Sequence, residues 1–582
     1  MKLVKCLPIV ALFLFSTACI TSLTTYAESS QSGVVDNPSL QAVIAGSSAL
    51  WVGMGQGMAG LPHGQINCAW TSTSGNFVTD NRVSSPFNTE NGNLWVIWTT
   101  GTAGTCANPS SNANVYVYIS LDSTVGVRCL FAQPQCTLGT TNAALTSGAG
   151  LLPGVTETPL PAAILSSFNN QNVTIAATDI LPTDAKFATY STLAACGRLS
   201  SGTQFVGLGY GPGPVGTAIR SYYSTRSFNV IDFNIYGDDP INTSKAIPTY
   251  TVTPVGAAPV IVIVNTSNAS GFGSPSAQNI NRAVLGLYFG GIFGRTADLV
   301  PQPFAGASTK YFPTTALLPE PLSGAYRVFE HSIPNNKELY RSQEYGNCGR
   351  ACTYGVVSNP LNLTRTIGGT SDGFRRRVIG TGEMVSELQT VQDSIGYAFW
   401  SAGNFANTSN LKYLTVDGID PILDTYQGGN IPQGMAFSNV TLSHVSDGTY
   451  PIWSTLRLVS YSAGANAAKT LASAAQNMVS FGTGATHPDF VPFAQLNVFH
   501  GHYAPVFINF NAGNTPSDGP AVCGAPEAGG DAGGMVFTVQ AGADYCVLKG
   551  NYGDPVNGRG PINTLLGGKT NANLGSDFGV RQ

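Results

Sequence analysis

The chain has 582 residues, of which 43% are hydrophobic and 10% charged, and a formal net charge of −4. That length exceeds what one hydrophobic core organises, so two or more packed units are expected. Charge is scarce against the usual quarter of residues. The one basic cluster is Arg375-Arg376-Arg377, far short of a nucleic-acid footprint, which excludes DNA and RNA as partners.

At the N-terminus Lys2 and Lys5 precede an apolar stretch over residues 7–20, and Thr25-Tyr26-Ala27 satisfies the small-residue rule for signal-peptidase cleavage after Ala27. A signal peptide over 1–27 and a periplasmic or secreted mature protein are expected. Ser16-Thr17-Ala18-Cys19 offers a second reading, a lipobox with Ser16 in place of the usual Leu-type residue, which would tether the mature chain by a lipid anchor at Cys19. No later run reaches the roughly 20 apolar residues that span a bilayer, so no transmembrane segment is expected in the mature chain.

Of eleven cysteines, Cys6 and Cys19 fall in the leader. The other nine should oxidise in an exported protein, with one left over. Close spacing favours Cys129 with Cys136, Cys348 with Cys352 and Cys523 with Cys546, while the connectivity stays open. There is no double Cys-x-x-Cys and no nearby histidine pair, so neither a metal nor a cofactor is expected.

Residues 40–51 read as a strand running through a turn into a helix, with Leu50, Trp51, Met54 and Met58 on one face. Residues 94–99 and 114–121 are rich in aromatic and β-branched residues and flank a Gly/Thr/Asn/Ser loop, the pattern of an inserted hairpin. Residues 173–177 form a buried-strand candidate that places Asp179 at a strand's carboxyl end, followed by helix-start chemistry. The long β-branched run over 250–264 suits a strand crossing between units. Ile280, Ala283, Val284, Leu287 and Tyr288 then recur at helical spacing.

Ser323-Gly324 follows next, where an extended segment turns into a short helix whose free amides make an anion cradle. A helix near 383–391, a strand over 394–400, an extended run over 450–459 and an Ala-rich helix over 463–479 complete an alternation that implies parallel α/β layers. The Gly/Asn-rich tail beyond Pro516 reads as loop.

Five short motifs occur in an order that resembles the periplasmic phosphate-binding proteins, the solute receptors of ABC importers. The likeness covers residues 43–478. Ala45-Gly46-Ser47-Ser48-Ala49 is similar to that family's first phosphate turn, which implies ligand roles for Ser48 and Ala49. Asp179 matches the aspartate of Ser-Asp-x-Pro, which accepts a hydrogen bond from protonated phosphate. Ser323, Gly324 and Ala325 match Ser-Gly-Thr. Residues 281–293 resemble the helix Leu-x-x-Ile-Phe-x-Gly, and Ser394-Ile395-Gly396-Tyr397 is close to Ser-Ile-Gly-Tyr. One departure stands out: the family's anion-forking arginine, four residues before the Ser of Ser-Gly-Thr, is Pro319 here.

The resemblance implies a two-lobed α/β fold of the periplasmic-binding-protein kind, with crossover strands between the lobes and a β-rich insertion over about 66–165. Lobe one would span 43–242, lobe two 243–447, and 448–582 would return to lobe one and the tail. The implied function is capture of a small oxyanion, phosphate or a relative, and its handover to an ABC permease, without enzymatic activity. The alternative is a secreted or surface protein that keeps the scaffold for adhesion. A hydrolase rests only on Gly369-Thr370-Ser371-Asp372-Gly373, a Gly-x-Ser-x-Gly match without a clear strand before it. Residues 211–216 have dinucleotide-loop spacing but two prolines and read as a turn, and His500-Gly501-His502 reads as a surface strand.

Overall fold

A computed structural model describes residues 38–60, 67–79, 89–132, 134–139, 150–180, 249–289, 314–319, 323–332, 363–367, 370–378, 380–433, 439–479, 489–496, 498–500, 536–539 and 546–548. The expected leader with Cys19, the 211–216 turn, Cys196, Cys348, Cys352, Cys523 and His502 lie outside the described residues.

The first stretch runs through β1 (Ser39–Ser47), α1 (Ser48–Gly60), β2 (Asn67–Thr79), β3 (Thr89–Thr99), β4 (Asn114–Leu121), α2 (Ser123–Phe131), β5 (Thr137–Leu138), α3 (Ala162–Phe168), β6 (Gln171–Asn172) and β7 (Ile175–Thr178). The middle holds β8 (Thr251–Asn265), β9 (Asn279–Ile280), α4 (Arg282–Phe289), β10 (Thr314–Pro319), α5 (Gly324–Ser332), β11 (Leu363–Ile367), β12 (Thr370–Val378), α6 (Gly380–Thr390), β13 (Ser394–Phe399), α7 (Ala402–Phe405) and β14 (Leu411–Val416). Then follow α8 (Ser443–Ser446), β15 (Trp453–Ser460), α9 (Ala465–Val479) and β16 (Val491–Pro492). A small separate sheet pairs β17 (Val498–His500), β18 (Val536–Val539) and β19 (Cys546–Leu548).

The fold is mixed α/β. Its main sheet runs in the order β11-β12-β10-β13-β8-β15-β7-β1-β4-β3-β2-β5-β6. On one side β1 is parallel to both β4 and β7; on the other β10 is parallel to both β12 and β13. The join is β8, a 15-residue strand that pairs antiparallel with β15 over its first part and with β13 from Val260 to Val264. At about 3.3 Å per residue such a strand is long enough to serve two half-sheets in turn.

Both faces of the first half-sheet are covered, which explains its nearly unbroken apolar runs. Successive side chains of β1 alternate between two cores: Ala42 and Ile44 enter one, Val43 and Ala45 the other. Trp95 and Ile97 against Leu94, Val96 and Trp98 repeat that division on β3. Helix α1 is buried almost all round and packs on α9, whose Ala468, Leu471, Ala472, Ala475 and Val479 recur at helical spacing.

Residues 114–121, expected as one arm of an inserted hairpin, do pair antiparallel with β3, and they also lie parallel to β1 inside the half-sheet. Ile280, expected in a helix, sits in β9. The helix begins at Arg282, whose amide and guanidinium both bind Asp417. Disulfides join Cys129 to Cys136, as spacing suggested, and Cys68 to Cys106, which spacing did not.

Candidate functional site

Four strands deliver their carboxyl ends to one place. In open α/β sheets this is where helices start with unsatisfied amides, and where ligands settle. Here β1 passes directly into α1, β4 into α2 through Asp122, β7 ends one residue before Asp179, and β10 ends at Pro319 shortly before α5. The start of α6 completes the ring. The residues that meet include Ser47, Ser48, Asp122, Ser123, Asp179, Pro319, Ser323, Gly324, Ala325, Gly380 and Thr381, around one small hollow that opens toward solvent. Its remaining wall is the chain from Tyr397 to Phe399 in β13, with Tyr397 stacked on Phe329 of α5 at 3.8 Å between ring centres.

Each polar group is held by its element. Asp179 is 2% exposed; Ser47 Oγ donates to its Oδ2 at 3.1 Å, and Ser454 Oγ of β15 donates to its main-chain oxygen at 2.6 Å. Ser47 Oγ also accepts from the Ala49 amide at 3.3 Å, and Ser47's carbonyl accepts from the Tyr118 hydroxyl. Across the cleft the Ser48 and Thr381 hydroxyls lie 3.3 Å apart, one from each half of the sheet. Gly324 touches Asp179 so closely that a Cβ there would lie 1.4 Å from Oδ1. Any larger residue at that start of α5 would displace the Asp179 side chain.

Five of the six residues proposed from sequence, Ser48, Asp179, Ser323, Gly324 and Ala325, therefore line one hollow although up to 277 positions separate them. Ala49 is not among the lining residues; its amide donates to Ser47 Oγ inside the first turn of α1. Ser47, Asp122, Ser123, Gly380 and Thr381 were not anticipated. A Leu-Asp-Ser-Thr run at the end of a β-branched strand is a helix-start signal, and reading residues 114–121 as an inserted hairpin hid it. Ser371 lies inside β12, paired with Thr366 of β11, and not at the strand-to-helix elbow that a nucleophilic serine needs.

Among the described residues no Lys, Arg or His lines the hollow; Pro319 occupies the wall where the resemblance leads one to expect arginine. Positive potential comes instead from the starts of α1, α2, α5 and α6, each worth a fraction of a unit charge. Two carboxyls oppose it. Burial, and secondarily the Asp179 charge, push Asp122 up to about 8, and the same two causes push the Tyr118 hydroxyl far above its ordinary value. The arrangement suits a small solute that offers oxygens to hydroxyls and amides and a hydrogen to a carboxylate. Among the described residues no group of His, Cys, Asp and Glu is placed to hold a metal ion.

No protein-family model matches the chain, and no curated protein matches it. Solved structures similar to it include a phosphate-binding protein from Stenotrophomonas maltophilia, at 14% identity over 66% of this chain and 84% of that one, with a TM-score of 0.30. PstS from Borrelia burgdorferi is 11% identical over 76% of this chain and 93% of its own, with a TM-score of 0.26. An ABC-type phosphate transport receptor from Vibrio cholerae is 13% identical with a TM-score of 0.22; the match covers 37% of this chain and 62% of the receptor, less than two thirds of its length.

Proposed function

We propose that this protein is an exported, non-enzymatic solute receptor that holds a small oxyanion bearing at least one proton, phosphate or a relative, in the hollow between the two halves of its sheet. The supporting observation is the meeting of Asp179 with the starts of four helices. Helix amides and the Ser48, Ser123, Ser323 and Thr381 hydroxyls would donate to the oxyanion's oxygens, and Asp179 would accept from its P–OH. A fully deprotonated anion such as sulfate offers no hydrogen to Asp179 and meets its charge instead. The two half-sheets act as lobes in this reading, about 43–242 with the return after 448, and 243–447. In this reading the lobes close around the solute and the loaded receptor hands it to a membrane permease.

A second reading draws on Pro319 and on the absence of any cation among the described residues of the lining: the scaffold serves adhesion and its cleft holds no anion. Equilibrium dialysis of ligand-stripped protein against radiolabelled phosphate separates the two. The receptor reading expects saturable binding, unaffected by excess sulfate and lost in Asp179→Ala. No retained label in the wild-type protein refutes it and leaves the adhesion reading.

A further inference from the structure

We infer that Asp122 is a specificity-determining group of this hollow: it enters the site as the neutral acid, donates its hydrogen to the bound oxyanion, and so restricts binding to conditions in which that hydrogen is present. The inference rests on the receptor reading above and adds a residue and a regulation to it.

Geometry carries the first step. Asp122 occupies the N-cap position of α2 in extended conformation, where an aspartate ordinarily binds the first amides of its helix. Its side chain makes no such cap bond and instead lines the hollow. The next residue points to a ligand independently. Ser123 is 1% exposed and lines the same wall, and its Oγ has no hydrogen-bond partner among the described residues. Buried hydroxyls are seldom left so, and a solute oxygen in the hollow would satisfy this one.

Electrostatics carries the second. Asp122, after β4, lies near Asp179, after β7, with Tyr118 on its own strand and Tyr397 on the far wall; the buried cations Arg128 of α2 and Arg457 of β15 are not in the lining. Asp122 and Asp179 line one hollow and repel each other when both are ionised, and a bound anion adds to that repulsion, so one carboxyl keeps a proton. Ser47 Oγ donates to Asp179 and favours its ionised form. Asp122, whose side chain makes no cap bond, holds the proton, in keeping with its value of about 8. A neutral carboxylic acid then supplies the donor that Pro319 cannot.

The test is titration calorimetry with inorganic phosphate from about pH 6 to pH 9.5 on the wild-type chain and on Asp122→Asn, which keeps a donor but cannot ionise. Above about pH 8 the wild-type affinity should fall about tenfold per pH unit more steeply than that of the variant. Asp122→Ser should show the same flattening should the asparagine variant fold poorly. Equal slopes in wild type and variants overturn the inference and leave the receptor reading intact. Binding by none of them at any pH removes both. Infrared difference spectra of the ligand-free wild type against Asp122→Asn give a readout independent of ligand. A protonated-carboxyl band should be present near pH 6 and vanish by about pH 9.5, and its absence near pH 6 overturns the inference.

Discussion

Gly324 sets the tightest tolerance in the cleft, since a Cβ there would lie 1.4 Å from Asp179 Oδ1 and 2.2 Å from its Cγ. Gly324→Ala should push the Asp179 side chain, or the whole half-sheet, out of register. Phosphate affinity should drop by at least about tenfold, at a stability cost of about 1–3 kcal/mol. Calorimetry and thermal melting check the two effects. The converse change, Pro319→Arg, puts a guanidinium into the wall; charge-assisted bonds of about 1.5–3 kcal/mol should tighten phosphate binding by about tenfold or more. Unchanged affinity would mean that no anion sits beside Pro319. At this scale the sequence was informative where a residue's type and its place after a strand coincide, as for Asp179 and Ser323. It was silent on Thr381, because the residue that gives Thr381 meaning, Ser48, lies 333 positions away.

Helix α2 is the element that ties the site to the fold. Gly126 brings it against β1, where a Cβ would lie 2.3 Å from the Ala45 carbonyl oxygen, and the Cys129–Cys136 disulfide pins its last turn to the chain leading into β5. A closed loop of seven residues is worth about 2 kcal/mol by the chain-entropy estimate. Cys129→Ser with Cys136→Ser should therefore lower unfolding stability by about that amount in urea, and should loosen the arm carrying Asp122 and Ser123. Elements were legible where hydrophobic period and length agree, as in β8, β15 and α9. They were misread where pairing decides: β4 looks like a hairpin arm in isolation, and only its parallel contact with β1 shows it to be central. Cys68 with Cys106 escaped for the same reason, since a separation of 38 residues says nothing until β2 and the loop after β3 are in place.

At the scale of the molecule, two acids with raised values predict how stability depends on pH. Asp489 is 1% exposed; burial outweighs its bond from the Ala402 amide and raises it to about 7, and Asp122 stands near 8. Both values lie above the unfolded carboxylate value of about 3.9. The folded chain thus holds these protons more tightly than the unfolded chain, and their contribution is complete below about pH 4 and lost as pH rises toward 7 to 8. The melting temperature should fall between about pH 5 and pH 8.5, and Asp489→Asn should flatten part of that decline. A melting temperature that rises over this interval would contradict the raised values of both groups.

Two contacts, Ser48 with Thr381 and Asp179 with Gly324, cross from one half-sheet to the other at the hollow itself, so a solute held there would be gripped from both sides. The most direct test is diffraction from crystals grown with arsenate, whose arsenic can be located by its anomalous scattering. One strong peak should appear where the oxygens around the arsenic reach Ser48, Asp179 and Ser323. A peak elsewhere, or none at saturating arsenate, would contradict the receptor reading.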